Sequence, residues 1–356
     1  MSLLVALGVI AVAQAIFVVM LAIFVVLRRE RLIRRADRVR GGRTSINAPL
    51  AQWLCGTGDV RRVADVLRAL PYDAALAFAA ELVDTRVARS TRASFGEALR
   101  HEPWINWALG GVTSWRWWRR LDAARALGIV GTMVDAGRLR PLLSDPHPAV
   151  RLAATQALAA VDDPDLVRLA VSRCPQEALA VRLFMATTLK VVWRLAEEPL
   201  NTFLASDASP ADLAAWLGLA ELLDLPSLRP AVTALVRHPS PEVRAPAARA
   251  LRRYPHADSV EAVMVLLDDP QDFVRAAAAQ ALGVLRAAAA QPQLERGLTD
   301  HAWWVRFRSA LALALLGESG RAALRRARHS SDRFAREMAE LTSGLSDGAV
   351  LELADA

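Results

Sequence analysis

Catalysis needs a nucleophile, an acid–base pair or a metal, and the residue types that most often supply them are sparse: six histidines and two cysteines in 356 residues. His147, His238, His301 and His329 lie about 31 residues apart or near multiples of that spacing, the arrangement a line of imidazole ligands would need. Ser209 and Gln271 interrupt the line at equivalent points, which leaves the four as hydrated loop residues. Cys55 and Cys174 stand far apart with no CxxC spacing, so neither a disulfide framework nor a zinc site is indicated, and a reducing compartment suits both. No GxSxG, P-loop, GxGxxG or HExxH pattern is present. The chemistry that remains is non-covalent recognition. Trp115, Trp117 and Trp118 interleave with Arg116, Arg119 and Arg120, and Trp303 and Trp304 repeat the tryptophan pair ahead of Arg306. Aromatic rings beside guanidinium groups are typical anchors for a protein partner. The competing use of the same rings is edge filling between helices of unequal size.

The residues that position these rings are themselves periodic. Arg120, Arg151, Arg182, Arg244, Arg275 and Arg306 recur at a period of about 31 residues, doubled once between Arg182 and Arg244. Three residues on stand Ala123, Ala154, Met185, Ala247, Ala278 and Ser309; seven on stand Leu127, Leu158, Leu189, Leu251, Leu282 and Leu313. The sixth residue after the arginine is always small: Ala126, Ala157, Thr188, Ala250, Ala281 and Ala312. One amphipathic helix is thus written six times, with a small residue beside its leucine where a neighbouring helix can approach closely. A fixed period of this length predicts stacked units.

In each unit a helix of about ten residues, such as 259–267, leads through a turn into an arginine helix such as 272–285. Proline fixes the corner at Asp145 and Pro146, Cys174 and Pro175, His238 and Pro239, and Asp269 and Pro270, with Asp300 and Asp332 at the remaining corners. The tryptophan pairs occupy the first turn of the arginine helix, where other units tolerate Pro148 and Ala149 or Pro241 and Glu242, so at least one ring of each pair is expected to be exposed. Near residue 213 the pattern lapses to Leu213, Trp216 and Ala220, which predicts a local change in superhelical twist. The last unit is degenerate too, with Arg336 arriving one position early and Ser343 in the leucine position, as a capping unit with a wet outer face requires.

Residues 3–27 carry no charge and one strongly polar side chain, Gln14, and about 25 residues at 1.5 Å each can cross a hydrocarbon core of about 30 Å. This reads as a transmembrane helix in which Gln14 is able to hydrogen-bond to a neighbouring span. Arg28, Arg29, Arg31, Arg34, Arg35, Arg38, Arg40 and Arg43 follow it, and basic flanks stay in the cytoplasm, so the N-terminus is expected outside. Residues 28–43 hold a net charge of +6 out of +7, leaving the other residues nearly neutral. A pI of about 10.6 therefore implies anionic lipid headgroups at Arg28, Arg29, Arg31, Arg34 and Arg35 and excludes nucleic acid as the expected partner.

Residues 145–158, DPHPAVRLAATQAL, and 269–282, DPQDFVRAAAAQAL, resemble HEAT repeats of the short bacterial, bilin-lyase-like type, and the likeness runs over about two-thirds of the chain. The resemblance implies an all-α fold: a right-handed α-solenoid of HEAT-like helix pairs, in some eight units that each span about 31 residues, here preceded by one transmembrane helix. In that family the turn aspartate and the following arginine commonly form a hydrogen-bonded ladder, which the resemblance places on Asp145 with Arg151, Asp269 with Arg275 and Asp300 with Arg306. The unit of Arg244 has no aspartate at its corner. Enzymes resembling deoxyhypusine hydroxylase build a di-iron site from several His-Glu pairs on such repeats; this chain has one pair, His101 with Glu102, so no metal and no cofactor is expected.

The expected organisation is a transmembrane helix at 1–27, a basic juxtamembrane segment at 28–43, a membrane-proximal helical cap at 44–110, the repeat solenoid at 111–345 and a frayed tail at 346–356. The expected protein is a single-pass bacterial inner-membrane scaffold whose cytoplasmic solenoid binds a membrane-associated partner, as a subunit of an envelope complex that includes a polysaccharide glycosyltransferase. Binding is assigned to Trp115, Trp117, Trp118, Arg116, Arg119, Trp303 and Trp304, and no catalysis to any residue. Two alternatives stand beside it: a bilin-lyase-like or chaperone-type enzyme acting on a prosthetic group, and a sensor of anionic lipid surfaces.

Overall fold

A computed structural model describes residues 20, 29–30, 33–34, 36–37, 39–85 and 87–355, and every regular element among them is helical. The chain divides into two compact units, Met1–Val161 and Asp162–Ala356. The first contains α1 (Asn47–Leu54), α2 (Val60–Arg68), α3 (Tyr72–Thr85), α4 (Arg89–Leu99), α5 (Pro103–Leu109), α6 (Trp117–Val130), α7 (Ala136–Leu143) and α8 (Pro148–Val161). The second contains α9 (Pro164–Arg173), α10 (Leu179–Val191), α11 (Trp193–Leu204), α12 (Pro210–Leu223), α13 (Arg229–Leu235), α14 (Pro241–Leu251), α15 (Ala257–Val265), α16 (Asp272–Val284), α17 (Gln291–Gly297), α18 (Trp303–Leu315), α19 (Glu318–Ala327), α20 (Arg333–Ser343) and α21 (Asp347–Asp355).

The inner-membrane placement expected from the sequence is corrected here. No helix among the described residues is long and apolar enough to cross a membrane. The longest of the labelled helices have 14 residues, about 21 Å at 1.5 Å each, well short of a hydrocarbon core of about 30 Å. The expected span at 3–27, Gln14 included, lies apart from Met20 outside the described residues, as do Arg28, Arg31 and Arg35. Of the remaining basic residues assigned to headgroups, Arg29 is exposed and Arg34 pairs with Glu30 at 2.8 Å.

In both units the arginine helices stack side by side, α6 on α8 in the first and α12, α14, α16, α18 and α20 in succession in the second. The leucines seven residues after the arginine are fully buried, and the small residues permit close approach. Gly283 of α16 sits where an added Cβ would lie 2.7 Å from the Ala312 Cα of α18, so the contact admits nothing larger than hydrogen. Gly128 faces Ala157 in the same register at a looser 3.8 Å. The lapse at residue 213 keeps its helix: Leu213 is buried in place of an arginine, and Trp216 stacks on Phe203 at 4.8 Å while its Nε1 donates to the Val171 carbonyl at 2.9 Å. Residues 44–110, poorly periodic in sequence, build their own core around Phe95, Leu67, Leu82 and Ile105.

Each expected pair is hydrogen-bonded, through the main-chain carbonyl of its aspartate, and the aspartate side chains are taken by the arginine of the preceding unit. Three of these arginines turn the Nη1 back to the two carbonyls of their own corner in the same way: Arg151 to Asp145 and Pro146, Arg275 to Asp269 and Pro270, Arg306 to Asp300 and His301. In three units the Nε and Nη2 reach forward to the aspartate of the next corner: Arg120 to Asp145, Arg244 to Asp269 and Arg275 to Asp300. The reason is geometric, since a guanidinium presents donors on two edges and the facing unit, not its own, supplies a carboxylate in the plane of the second edge. Each aspartate also accepts the backbone N–H two residues on, at 2.8 to 2.9 Å, from His147, Gln271 and Ala302. The Arg244 unit therefore lacks nothing on its own side, because Arg244 bonds the carbonyls of His238 and Pro239 as the others do.

Burial alone would raise Asp145, Asp269 and Asp300, but the guanidinium hydrogen bonds, the backbone N–H and the arginine charge outweigh it and hold all three below the ordinary 3.8. A carboxyl whose folded pKa is depressed adds stability above its unfolded pKa and loses it as pH falls through the folded value. Stability measured by urea unfolding should accordingly decline as pH drops below about 4, and less steeply in Asp269→Asn than in the unaltered chain. At neutral pH Arg244→Ala, which strands the buried Asp269 carboxylate, should cost about 3 kcal/mol in the same measurement. Arg182→Ala should cost clearly less, since the Arg182 Nε already lies buried without a partner and Asp207, at the equivalent place in the following unit, is exposed.

Candidate functional site

The first turn of α6 carries an exposed aromatic patch because the corner before it is spent on backbone bonding and cannot cover it. Arg120 claims the carbonyls of Ser114 and Trp115, which fixes the loop and leaves the Trp115 ring 81% exposed. Arg116 lies over Trp115 at 4.8 Å and over Trp118 at 5.5 Å, within cation–π range of both. Trp117 stacks flat on His147 at 4.0 Å and meets Trp118 edge-on at 6.2 Å. Both rings of the pair remain exposed, at 40% and 45%. Arg119 sits 3.4 Å above Trp107 of α5, a ring the sequence pattern does not single out, and Trp107 meets Tyr72 edge-on at 4.1 Å. All five residues assigned to binding here, Trp115, Arg116, Trp117, Trp118 and Arg119, thus belong to one patch with Trp107 and His147.

Its base is polar and held firmly. The Tyr72 hydroxyl donates to Asp122 at 3.1 Å, and burial together with the Asp122 charge pushes the phenol well above its ordinary range. Burial also raises Asp122, against the pull of the Tyr72 hydrogen bond and the Arg125 and Arg119 charges. The outer surface carries guanidinium groups at 116, 119 and 125, so the patch is cationic as well as aromatic.

A second aromatic set lies in the other unit. Trp303 and Trp304 meet edge-on at 4.6 Å, Trp303 stacks on Phe307 at 4.9 Å, and Trp304 is 60% exposed. Phe273 and Phe334 are exposed at the same register in α16 and α20, two residues before Arg275 and Arg336. The signal was in the sequence, since position minus two reads Phe, Trp, Phe in three consecutive units. Beneath Phe334 the Arg306 guanidinium stacks at 4.3 Å, and its Nε has no hydrogen-bond partner because Ser331 stands where the next aspartate would be.

Other groups with catalytic potential are already occupied. Glu102 of the His101–Glu102 pair is buried and accepts both forks of Arg68. Cys174 is buried, and that burial pushes its thiol up to about 12, far from a reactive thiolate. Among the described residues no group of three or more His, Cys, Asp or Glu side chains could hold a metal ion. A cleft of about 560 Å³ lies between α19, α20 and α21; Arg321 and Arg325 on its wall pair at 2.6 Å with Asp347 and Glu318.

Models of HEAT repeats match residues 197–283, 228–314 and 265–343, and a HEAT repeat model matches residues 138–162. The chain carries HEAT repeats. These matches cover just under half of it. No curated protein matches the chain by sequence. Solved structures similar to it include YibA of Escherichia coli, 15% identical with a TM-score of 0.38 over 73% of this chain and 99% of that one. Kap121p bound to RanGTP is 12% identical with a TM-score of 0.39, over 79% of this chain and 42% of that one. Human deoxyhypusine hydroxylase in complex with glycerol is 23% identical with a TM-score of 0.28, over 76% and 96%. Likenesses of this size assign neither a partner nor an activity.

Exposed and buried tryptophans in the HEAT array should separate on substitution. Trp115→Ala and Trp304→Ala are expected to change unfolding free energy by no more than about 0.5 kcal/mol. Trp216→Ala, which empties a stacked and hydrogen-bonded core site, should cost about 3 to 5 kcal/mol in the same urea titration.

Proposed function

We propose that the chain is a scaffold that binds a protein partner through its exposed aromatic and arginine surfaces. HEAT-repeat arrays are typically protein-interaction scaffolds, and binding is a task a rigid stack performs by geometry alone. The observation that carries the reading is the Trp107, Trp115, Trp117 and Trp118 patch: four large exposed rings, three of them in cation–π contact with Arg116 or Arg119 and the fourth stacked on His147, in a chain that buries Trp104 and Trp216. Rigid aromatic side chains bring large contact area at low entropic cost, and arginine beside them adds charge-assisted hydrogen bonds to acidic groups on a partner. The Arg116, Arg119 and Arg125 charges favour an acidic partner surface. The envelope-complex assignment rested on the inner-membrane placement and forms no part of this reading.

Crosslinking in cells that express the chain at native level, followed by mass spectrometry, should recover one reproducible companion. Trp117→Ala combined with Trp118→Ala should reduce that recovery at least about tenfold while leaving the helical circular-dichroism signal unchanged, since each lost aromatic anchor is worth about 1 to 2 kcal/mol. Undiminished recovery in a folded double variant would return both rings to packing.

A further inference from the structure

The C-terminal segment expected to fray is a helix, and its place on the fold carries the inference. Helix α21 lies across α16 and α18 on the face that the arginine helices present away from their paired partners. Its last turn is held by two donors: Gln280 Nε2 gives a hydrogen bond to the Ala354 carbonyl at 2.7 Å, and Arg308 Nη1 gives one to the Leu353 carbonyl at 2.6 Å. These carbonyls are among those a helix end leaves unsatisfied, and they carry its partial negative charge, so an amide and a guanidinium are suited to receive them. The register of the repeats shows what is covered. The fifth residue after the arginine is exposed at Thr187, Arg249 and Leu341, but under α21 the same position is buried, at 8% for Gln280 and 1% for Leu311.

The attachment itself is slight. Helix α21 has nine residues, fewer than an isolated helix needs to persist in water, and hangs from the short linker Gly344, Leu345 and Ser346. Of its described side chains, Val350 and Ala354, one turn apart, are the buried ones. Leu351 and Glu352 are exposed, and Asp347, also exposed, makes a surface ion pair with Arg321 of α19 at 2.6 Å. The groups that receive the helix are basic and the helix itself is acidic: Arg308 donates to its end, Arg321 pairs with its first turn, and its sequence carries Asp347, Glu352 and Asp355.

We propose that the α16 and α18 face is a receptor groove for an acidic amphipathic helix of the protein partner, and that α21 is the chain's own occupant of that groove, displaced when the partner binds. This is helix-in-groove recognition with the i, i+4 pair Val350 and Ala354 as the apolar anchors and Gln280 and Arg308 as the clamp on the helix end. It depends on the scaffold reading for the existence of a partner, but the groove can be tested without one.

A fluorescent peptide of residues 345–355 serves as the probe, titrated against the full chain and against Val350→Asp combined with Ala354→Asp, which releases the resident helix. The released chain should bind the peptide at least about tenfold more tightly, because a groove occupied most of the time lowers apparent affinity by its open fraction. Equal binding to both chains, or none to a released chain that keeps its circular-dichroism spectrum, would overturn the groove. A peptide with lysine at positions 347, 352 and 355 should bind at least about tenfold more weakly, and equal affinity would overturn the acidic character of the ligand. If the double variant does not fold, hydrogen exchange on the unaltered chain decides instead. The α21 amides should exchange through a local opening, well ahead of those of α16 and α18. Exchange of all three helices together, only on global unfolding, would sink the displacement mechanism. Companion recovery in the Trp117 and Trp118 variant is read independently, so either idea can fail while the other stands.

Discussion

A guanidinium has donors on two edges in one plane, and the stack of repeats depends on using both at once. One nitrogen closes the corner that leads into the arginine's own helix, by bonding carbonyls six and five residues back, as in Arg244 with His238 and Pro239. The other edge closes on the aspartate of the following corner, as in Arg244 with Asp269. Corner geometry and unit-to-unit spacing are therefore set by the same side chain. Lysine could supply the charge but not this fixed fork, since its ammonium has no second edge at a set angle. The aspartate is matched in the same way, because one oxygen set receives the arginine of the preceding unit while the N–H two residues on pins the carboxylate in the turn.

A rung built from two halves in different units can fail in two ways, and the chain shows both. At the corner of His238 the carboxylate is missing, and in the preceding unit Leu213 stands in place of the arginine that would seek it. Both halves are gone, nothing charged is left buried, and the vacated space is core: Leu213 is fully packed and Trp216 hydrogen-bonds to Val171. After Arg306 only one half is gone. Its partner position is Ser331, the Nε has no acceptor, and the guanidinium rests its face on Phe334 instead. Losing one half leaves a polar orphan that must be tolerated, whereas losing both converts the rung to hydrophobic contact. The lapse at residue 213 is thus a substitution of one cohesive device for another inside an unbroken stack of α12 on α14.

What the sequence made legible follows from what is periodic. The constant spacing, the buried leucine and the small residue beside it reappear in every arginine helix of the pattern because each unit meets the same neighbour. The second partner of Arg120, Arg244 and Arg275 is hidden for the same reason. An aspartate that precedes one arginine at a fixed distance also follows the arginine of the unit before at a fixed distance, and period alone cannot say which contact is made; the second edge of the guanidinium decides it. The tail was read as frayed because nine residues with no counterpart in the repeat give no register to compare. Its docking depends on Gln280, far away along the chain, which in sequence is one polar residue in an alanine-rich helix. Trp107 was overlooked because its arginine partner, Arg119, belongs to a different helix.

The distribution of aromatic rings follows from the rung as well. Because arginine and aspartate hold each corner by hydrogen bonds, the first turn of the arginine helix is relieved of packing duty, and its two leading positions are free to carry proline, glutamate or tryptophan without loss of the fold. Those positions are where Trp117, Trp118, Trp303 and Trp304 stand, all exposed. The middle of the same helices is also released wherever no further element covers it, as exposed Thr187 and Arg249 show. A covering helix that buries Val350 and Ala354 over that face adds little to a stack already closed by its rungs. The terms that hold the array together and the surfaces it leaves open are therefore separable, which lets binding residues vary along the repeats while the spacing stays fixed.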